Sequence, residues 1–421
     1  MMPVICTILI NKCNAQTAGV AVAHNISLFE YLKLVGSQNF SYIAEQYNIG
    51  IAEAGIESAR VFPDPQFSMD VYDNQEASLH LGRGFTLGLG TNLELGGKRR
   101  ARINLAMSEV ELSRAMLQDY FRNLRADASL AYFNALLLYY QHQALSHSAS
   151  AMQQLAEADS VRLLFGTITA IDARQSRLEA RTILNGVYQA EADWRGALLQ
   201  LNLYAGSKSA DSILSPVGDF EHLSRQFSLI QLIEEAQSNR ADLVAAKQNK
   251  VVADRNLNLI KANRKMDLGV NAGYQFAGES TNETAPTPAY SSVSVGISVP
   301  LKWSNRYKGD LKAARYSIKQ SEILCEQVLL QIQVEVTKAY TNYLAAGKQV
   351  AAFHNGLIAE SEKILEGKIY SYKRGETSLL EVLNARRTYN DILQSYYQAQ
   401  YQYAASLIEL ERSAGIWDIN R

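Results

Sequence analysis

Hydrophobic positions in this chain follow a helical period over two unusually long stretches. Residues 98–165 contain no glycine or proline, and apolar or small side chains recur there at alternating steps of three and four. This spacing is typical of a coiled-coil helix, which over this range is about 100 Å long at roughly 1.5 Å per residue. A second stretch, about 307–373, has a similar length, and shorter helices are predicted over 170–203 and 378–413. We therefore predict two helix hairpins, 98–203 and 305–413, with turns near Gly166 and Gly375.

Four other segments alternate between apolar and small polar residues, which predicts β-strands. They cover residues 66–73, 85–95, 267–277 and 291–301. Strands of this length can cross a bilayer when they are tilted. A soluble sandwich is the common alternative for such a pattern. Glycine and small polar residues, however, occupy the faces on which a solvated sheet carries long charged side chains.

The sequence around the two hairpin turns is repeated. Arg162-Leu-Leu-Phe-Gly-Thr-Ile-Thr-Ala-Ile-Asp172 and Ser371-Tyr-Lys-Arg-Gly-Glu-Thr-Ser-Leu-Leu-Glu381 have glycine, hydroxyl and carboxylate residues in the same order, 209 positions apart. A recurrence over this distance indicates an internal duplication. The matched pairs are Gly166 with Gly375, Thr169 with Ser378, Asp172 with Glu381, and Arg177 with Arg386.

Simple backbone chemistry accounts for most of this motif. We predict a positive φ at Gly166 and Gly375, because glycine adopts that conformation without steric cost. Thr169 and Ser378 are predicted to be the N-caps of the helices that follow.

The duplication predicts one interleaved structure built from two repeats. Repeat 1 covers 17–205 and begins with a helix over 28–60; repeat 2 covers 228–414 and begins with a helix over 228–264. A linker, 206–227, joins them, and 415–421 form a C-terminal tail. Residues 1–16 contain a short apolar segment typical of the remnant of a secretory signal, with a frayed terminus as the alternative.

Strands that cross a bilayer must close into a barrel, because lipid offers no partner for the N–H and C=O groups of an open edge. The smallest such barrels have about eight strands. Four strands per chain therefore require an oligomer, and three chains give a barrel of twelve strands. The predicted fold is mostly α, with long helix hairpins and a transmembrane β part. No run of 18 apolar residues is present, so no membrane-spanning helix is predicted.

The repeated motif closely resembles that of the TolC family of bacterial outer-membrane efflux proteins. The most specific part is Tyr372-Lys-Arg-Gly-Glu-Thr-Ser-Leu-Leu-Glu-Val-Leu-Asn-Ala-Arg386, and Glu94-Leu-Gly-Gly-Lys-Arg-Arg-Ala-Arg102 resembles the heavy-metal-resistance, CzcC/CusC-like branch. The resemblance implies a homotrimer in the bacterial outer membrane, with a twelve-stranded barrel continuing into a long periplasmic helical barrel. It also implies two partners, a periplasmic adaptor protein and an inner-membrane pump of the RND type. The trimer would serve as their passive exit duct, possessing no chemistry of its own.

The resemblance also assigns roles to residues at the hairpin turns. Tyr372, Asp172 and Glu381 correspond to residues that line a pore constriction and its locking network. A basic residue of that network is replaced by Thr377 here, and Arg374 is the candidate substitute. An alternative role for Asp172 and Glu381 is to stabilise the helix N-termini on which they lie. The adaptor-docking tip would comprise Phe165, Gly166, Thr167, Thr169, Gly375, Glu376 and Ser378.

Composition and motifs leave few other functions open. The net charge is −1, which gives no reason to expect nucleic-acid binding. The six histidines form no metal-ligand spacing, and no catalytic motif or cofactor fingerprint is present, so no enzyme, metal site or cofactor is expected. The tyrosines of 389–403 are predicted to pack between helices. The remaining alternative to a duct is a soluble coiled-coil scaffold or periplasmic adaptor protein, which would use the same helices for protein contacts.

Overall fold

A computed structural model describes residues 22–75, 80–207, 212–220, 223–302 and 307–417. The predicted leader, 1–16, and its two cysteines lie outside these residues. Most of the described chain is helical. The helices are α1 (Leu28–Gln38), α2 (Phe40–Arg60), α3 (Lys98–Leu164), α4 (Ala170–Tyr204), α5 (Leu229–Asn239), α6 (Ala241–Asn263), α7 (Lys308–Ala352), α8 (Ile358–Lys373) and α9 (Leu379–Ala414). The strands are β1 (Val22–Ile26), β2 (Gln66–Asp73), β3 (Arg83–Leu93), β4 (Ser212–Pro216), β5 (Leu268–Ala277) and β6 (Tyr290–Ser298).

The first long helix is continuous, whereas its counterpart in the second repeat is not. Helix α3 runs without a break for 67 residues. The predicted helix over 307–373 instead divides into α7 and α8 at a π-helical turn, Phe353–Leu357. Within that turn Gly356 has φ 117°, a conformation that an L-residue in a helix cannot share. The position 209 residues earlier is His147, so the first repeat has no glycine at which to break.

The two half-length helices predicted over 28–60 and 228–264 are each divided in two. Asn39 separates α1 from α2 with an extended ψ of 119°. Its side chain accepts a hydrogen bond from Tyr42 N (2.9 Å) and donates one to Tyr204 O (2.9 Å), which compensates for the lost helical pairing. Arg240 separates α5 from α6 in the same way, with ψ 126°. A single residue with an extended backbone therefore turns each helix.

The four predicted strands form one antiparallel sheet with the order β2-β3-β5-β6. The central pair, β3 and β5, joins the two repeats, with a register from Leu93 opposite Leu268 to Gly84 opposite Ala277. Strand β3 begins and ends two residues earlier than the predicted 85–95, and β6 ends three residues before the predicted 301. The sequence did not predict the second sheet, in which β1 pairs in parallel with β4.

The chain divides into two compact units that do not coincide with the repeats. One comprises Met1–Ile43, Asn123–Leu229 and Val336–Arg421, and the other comprises Ala44–Arg122 and Ile230–Glu335. Each unit takes segments from both repeats, because α3 passes from one unit into the other. The antiparallel sheet belongs to the second unit and both hairpin turns belong to the first. Among the described residues, no helix has an apolar stretch long enough to cross a membrane.

The core of the first unit includes fully buried small residues along α3 and α9. Ala126, Ala128, Ala135 and Ala404 are each 0% exposed, which lets helices approach closely. Tyr132 ties α3 to the small parallel sheet, because its hydroxyl donates to Ile26 O (2.9 Å) and lies 2.6 Å from Val217 O.

Candidate functional site

The two hairpin turns have the same backbone hydrogen bonds. In the first, Gly166 N donates to Leu163 O (3.0 Å) and Thr167 N donates to Arg162 O (3.0 Å). In the second, the residues 209 positions later repeat both bonds, Gly375 N to Tyr372 O (3.0 Å) and Glu376 N to Ser371 O (2.9 Å). This pattern ends a helix with a left-handed residue.

The predicted glycine conformations and N-caps are confirmed. Gly166 and Gly375 have φ 69° and 78°. A Cβ atom on either would meet nothing within 4 Å, so backbone conformation rather than space requires glycine there. The Thr169 hydroxyl accepts from Asp172 N (3.1 Å), and the Ser378 hydroxyl accepts from Glu381 N (3.4 Å).

We call residues 159–172 and 368–381 the hairpin tip. A small apolar cluster stabilises it, with contributions from all four helices. Its buried members are Met152, Leu155, Ala156, Ala180, Tyr372, Leu379, Val382 and Leu383. Because α3, α4, α8 and α9 share this core, a shift of one hairpin against the other must disturb it.

Tyr372 makes a buried polar contact between the two hairpins. Its ring is 4% exposed, and its hydroxyl donates to Asp159 Oδ1 at 2.9 Å. Asp159 lies on α3 and is fully buried. The Arg162 guanidinium lies 4.7 Å from the centre of the Tyr372 ring and 3.7 Å from Asp159 Oδ1. Tyr372 therefore lies inside the tip, where it connects the hairpins.

Burial and hydrogen bonding act on Asp159 in opposite directions. Burial raises its pKa above the usual range, and the neighbouring Asp172 carboxylate adds to that effect. Hydrogen bonds from Tyr372 and Ser176 and the charge of Arg162 lower the pKa, because all three favour the ionised form. Tyr372 makes the largest of these three contributions to stabilising the ionised form of Asp159.

Glu381 has a different environment from its repeat partner Asp172. It forms an ion pair with Lys368 across the second hairpin. Lys368 lowers the pKa of Glu381, and a hydrogen bond from Thr377 contributes in the same direction. The position that matches Lys368 in the first repeat is Asp159. A helix position that bears an acid in one hairpin therefore bears a base in the other, and the duplicated tip is electrostatically asymmetric.

Arg374, predicted as a substitute for the missing basic residue, has partners within its own hairpin. It donates to the Tyr370 hydroxyl at 2.8 Å and pairs with Glu376 at 3.2 Å. The predicted docking residues lie at or beside the turns. The exposed apolar side chains there include Leu164 (85% exposed), Phe165 (79%), Ile171 (75%) and Leu380 (58%). Ile171 and Leu380 are matched by the 209-residue repeat.

Sequence reasoning missed Asp159, Arg162 and Lys368. A signal was present, because Asp159 is an acidic residue at a seam position of a helix face that is mostly apolar or small. Aligning the two repeats would have placed Asp159 opposite Lys368. Among the described residues, no three histidine, cysteine, aspartate or glutamate side chains cluster as metal ligands.

Long helix hairpins with a structured tip, and an antiparallel sheet, are the features that define the class of this protein. The sheet carries exposed apolar residues in alternation, such as Phe67, Met69 and Val71 on β2 and Val293, Val295 and Ile297 on β6. The helices carry the tip. This combination is that of the outer-membrane channels built from helix hairpins.

Comparison with known proteins identifies the family. The family model described as "Outer membrane efflux protein" matches residues 41–207 and 232–416, and the chain belongs to this family. The cobalt-zinc-cadmium resistance protein CzcC of Cupriavidus metallidurans is 26% identical over 92% of this chain and 88% of its own length. The protein is an efflux channel of the outer membrane.

Solved structures share the same fold. CusC superimposes with a TM-score of 0.74 at 19% identity, covering 93% of this chain and 92% of its own. The CmeC outer membrane channel of Campylobacter jejuni gives a TM-score of 0.75 at 15% identity, covering 92% of this chain and 85% of its own.

Proposed function

We propose that three copies of this chain form a duct whose barrel has twelve strands. The observation that supports this is the four-stranded sheet with two outer strands, β2 and β6, whose apolar side chains are exposed. An open sheet in lipid leaves unpaired edge groups, so β2 and β6 must pair with neighbouring copies. The helices then form the periplasmic part of the duct.

The hairpin tip is the gate of this duct. Asp172 and Glu381 lie in the first turns of α4 and α9, next to the turns. Since Lys368 pairs with Glu381, Asp172 supplies more of the uncompensated negative charge at the mouth. Tyr372 acts from inside the tip, where its bond to Asp159 holds the hairpins together in the closed arrangement. Arg374 supports the second turn through Tyr370 and Glu376.

The exposed apolar residues at the turns are the surface on which a periplasmic adaptor protein docks. Phe165, Ile171 and Leu380 project from a tip that is otherwise capped by polar groups, a pattern expected of a protein interface. Gly166, Thr167, Thr169, Gly375, Glu376 and Ser378 give the turns their shape. An inner-membrane pump of the RND type, working through the adaptor, would supply the cargo.

Heavy-metal cations are the proposed cargo. The support is the likeness to CzcC, a resistance protein for cobalt, zinc and cadmium, and the carboxylates at the mouth, which attract cations.

The gate assignment is tested by planar-bilayer recording of the assembled protein. The double variant Asp172→Ala with Glu381→Ala should assemble as a trimer and show a higher single-channel conductance or a weaker cation preference. Asp193→Ala, an α4 carboxylate bonded to Gln189 at 2.8 Å, is the matched control and should leave both quantities unchanged. Wild-type recordings from the double variant would remove the gate role from these two residues.

The duct itself is tested by fractionation. A duct stays with outer membranes through a high-salt wash and is extracted by detergent as a trimer. Release by salt as a single copy would favour the scaffold alternative.

A further inference from the structure

A cavity of about 560 Å³ lies between α3, α8 and α9, in the same compact unit as the hairpin tip, with which it shares Ile369. Its lining comes from residues 139–151 of α3, 362–369 of α8 and 386–397 of α9. The volume is within the range of about 300–1,000 Å³ found for small-molecule sites. The proposed gate and docking surface do not use this cavity.

Arg386 is the unusual residue of the lining. It is only 7% exposed, and its one described hydrogen bond is a long one of 3.5 Å from Nη1 to Ser148 O. Its Nε atom is buried without any partner among the described residues. Burial lowers the pKa of its guanidinium. Within the described part of the chain no carboxylate forms an ion pair with Arg386, so its charge is uncompensated.

The matched arginine of the first repeat shows that this burial is not a requirement of the duplicated motif. Arg177 occupies the same place, eleven residues after its glycine, but is exposed to solvent. Its Nε donates to Ala173 O at 3.2 Å. A buried, unpaired guanidinium is costly, because arginine does not lose its proton in proteins. An anion in the cavity would remove that cost.

Aromatic rings form much of the rest of the wall. Tyr139, Tyr140, Tyr389 and Tyr397 line the cavity together with apolar residues such as Leu365. Tyr140 and Tyr397 stack with ring centres 5.4 Å apart and an interplanar angle of 13°. Aromatic walls of this kind favour stacking with a planar ring of a ligand. The planar guanidinium of Arg386 favours a carboxylate, which can accept two parallel hydrogen bonds from it. For Tyr389 and Tyr397, the predicted packing between helices therefore describes only part of the environment.

Two exposed carboxylates restrict the charge that the cavity can accept. Glu362 and Glu366 line it, and both raise the pKa of Tyr389 after the larger effect of burial. Their negative field thus reaches the interior. A second negative charge on a ligand would be repelled there, whereas a single charge is balanced by Arg386.

We propose that this cavity is a binding site for a singly charged aromatic carboxylate, held by Arg386 and enclosed by the tyrosine rings. This proposal does not depend on the conduction path argued above. Occupancy joins α3 of the first repeat to α8 and α9 of the second. A ligand should therefore stabilise the packing of one hairpin against the other.

Benzoate is the probe, titrated by calorimetry into the assembled full-length protein in lipid nanodiscs. Wild type should bind benzoate, and should bind neutral benzyl alcohol and the dianion phthalate more weakly. Arg386→Met removes the charge at similar length and should weaken benzoate binding by about 10- to 100-fold, the loss expected for hydrogen bonds to a charged group. Arg177→Met, at the matched exposed position, should bind benzoate as wild type does.

Location is measured independently of any variant by photolabelling wild type with 4-azidobenzoate. Labelled peptides should come from 139–151, 362–369 or 386–397, with protection by excess benzoate. Photolabelling of wild type also tests the proposed site if the Arg386→Met variant does not assemble. Equal affinity for benzoate and benzyl alcohol, undiminished binding in Arg386→Met, or labelling confined to other segments would each overturn the proposal.

Discussion

Removing the hydroxyl of Tyr372 should destabilise the hairpin tip more than removing both members of its hydrogen bond. Tyr372→Phe leaves the Asp159 carboxylate fully buried, with Ser176 and Arg162, the latter at 3.7 Å, as the remaining groups that favour its charge. A hydrogen bond to a charged group contributes about 1.5–3 kcal/mol, and a buried acceptor left without its donor costs a similar amount. With an unfolding entropy of about 2.1 cal/mol/K per residue, this cost corresponds to a decrease in Tm of about 2–3 °C for a chain of this length.

The double variant Tyr372→Phe with Asp159→Leu gives the decisive comparison. It replaces both polar partners with apolar groups, which is often close to neutral in a buried site. Its Tm should therefore lie above that of Tyr372→Phe alone. Thermal unfolding of the assembled protein, followed by circular dichroism, measures both. Tyr188→Phe, at an exposed tyrosine of α4, is the control and should change Tm by less than the buried substitution.

The pH dependence provides a second check on the same contact. The Tyr372 hydrogen bond lowers the pKa of Asp159, so losing it raises that pKa further. The cost of Tyr372→Phe is then fully present above the raised pKa of Asp159 in the variant, and it shrinks as pH falls and the carboxyl becomes neutral. Additive effects of the two substitutions, or a cost that grows in acid, would refute the view that this bond stabilises an ionised Asp159.

Four further substitutions, one of them a control, test other contacts of the structure. In the same thermal-unfolding assay, Gly375→Ala should destabilise the protein by about 1–2 kcal/mol, because alanine is strained at positive φ. Gly367→Ala is the control and should be neutral or stabilising, because Gly367 lies inside a helix with open space around it. Lys368→Met should raise the pKa of Glu381 towards its ordinary value. The pH dependence of channel conductance should then shift to higher pH. Arg240→Met should cost about 3–5 kcal/mol, since this buried arginine pairs with two carboxylates at 2.6 and 2.7 Å; an unchanged Tm would contradict that role.

Local sequence pattern was sufficient for much of this protein. The helical period, the absence of proline and the two repeated glycines predicted α3, both hairpins and the caps at Thr169 and Ser378, because these features depend on neighbours a few residues away. Alternation predicted all four strands of the main sheet. The recurrence of one motif at a spacing of 209 positions was enough to indicate the duplication.

Packing between distant segments supplied the rest. The bond between Tyr372 and Asp159 joins residues 213 positions apart, and neither residue type identifies the other as its partner. The same is true of β1 and β4, each only five residues long, which pair across most of the first repeat. Arg177 and Arg386 occupy equivalent places in the motif, yet one is exposed and the other is buried. Burial is set by what surrounds a side chain in space, and a repeated local sequence does not contain that information.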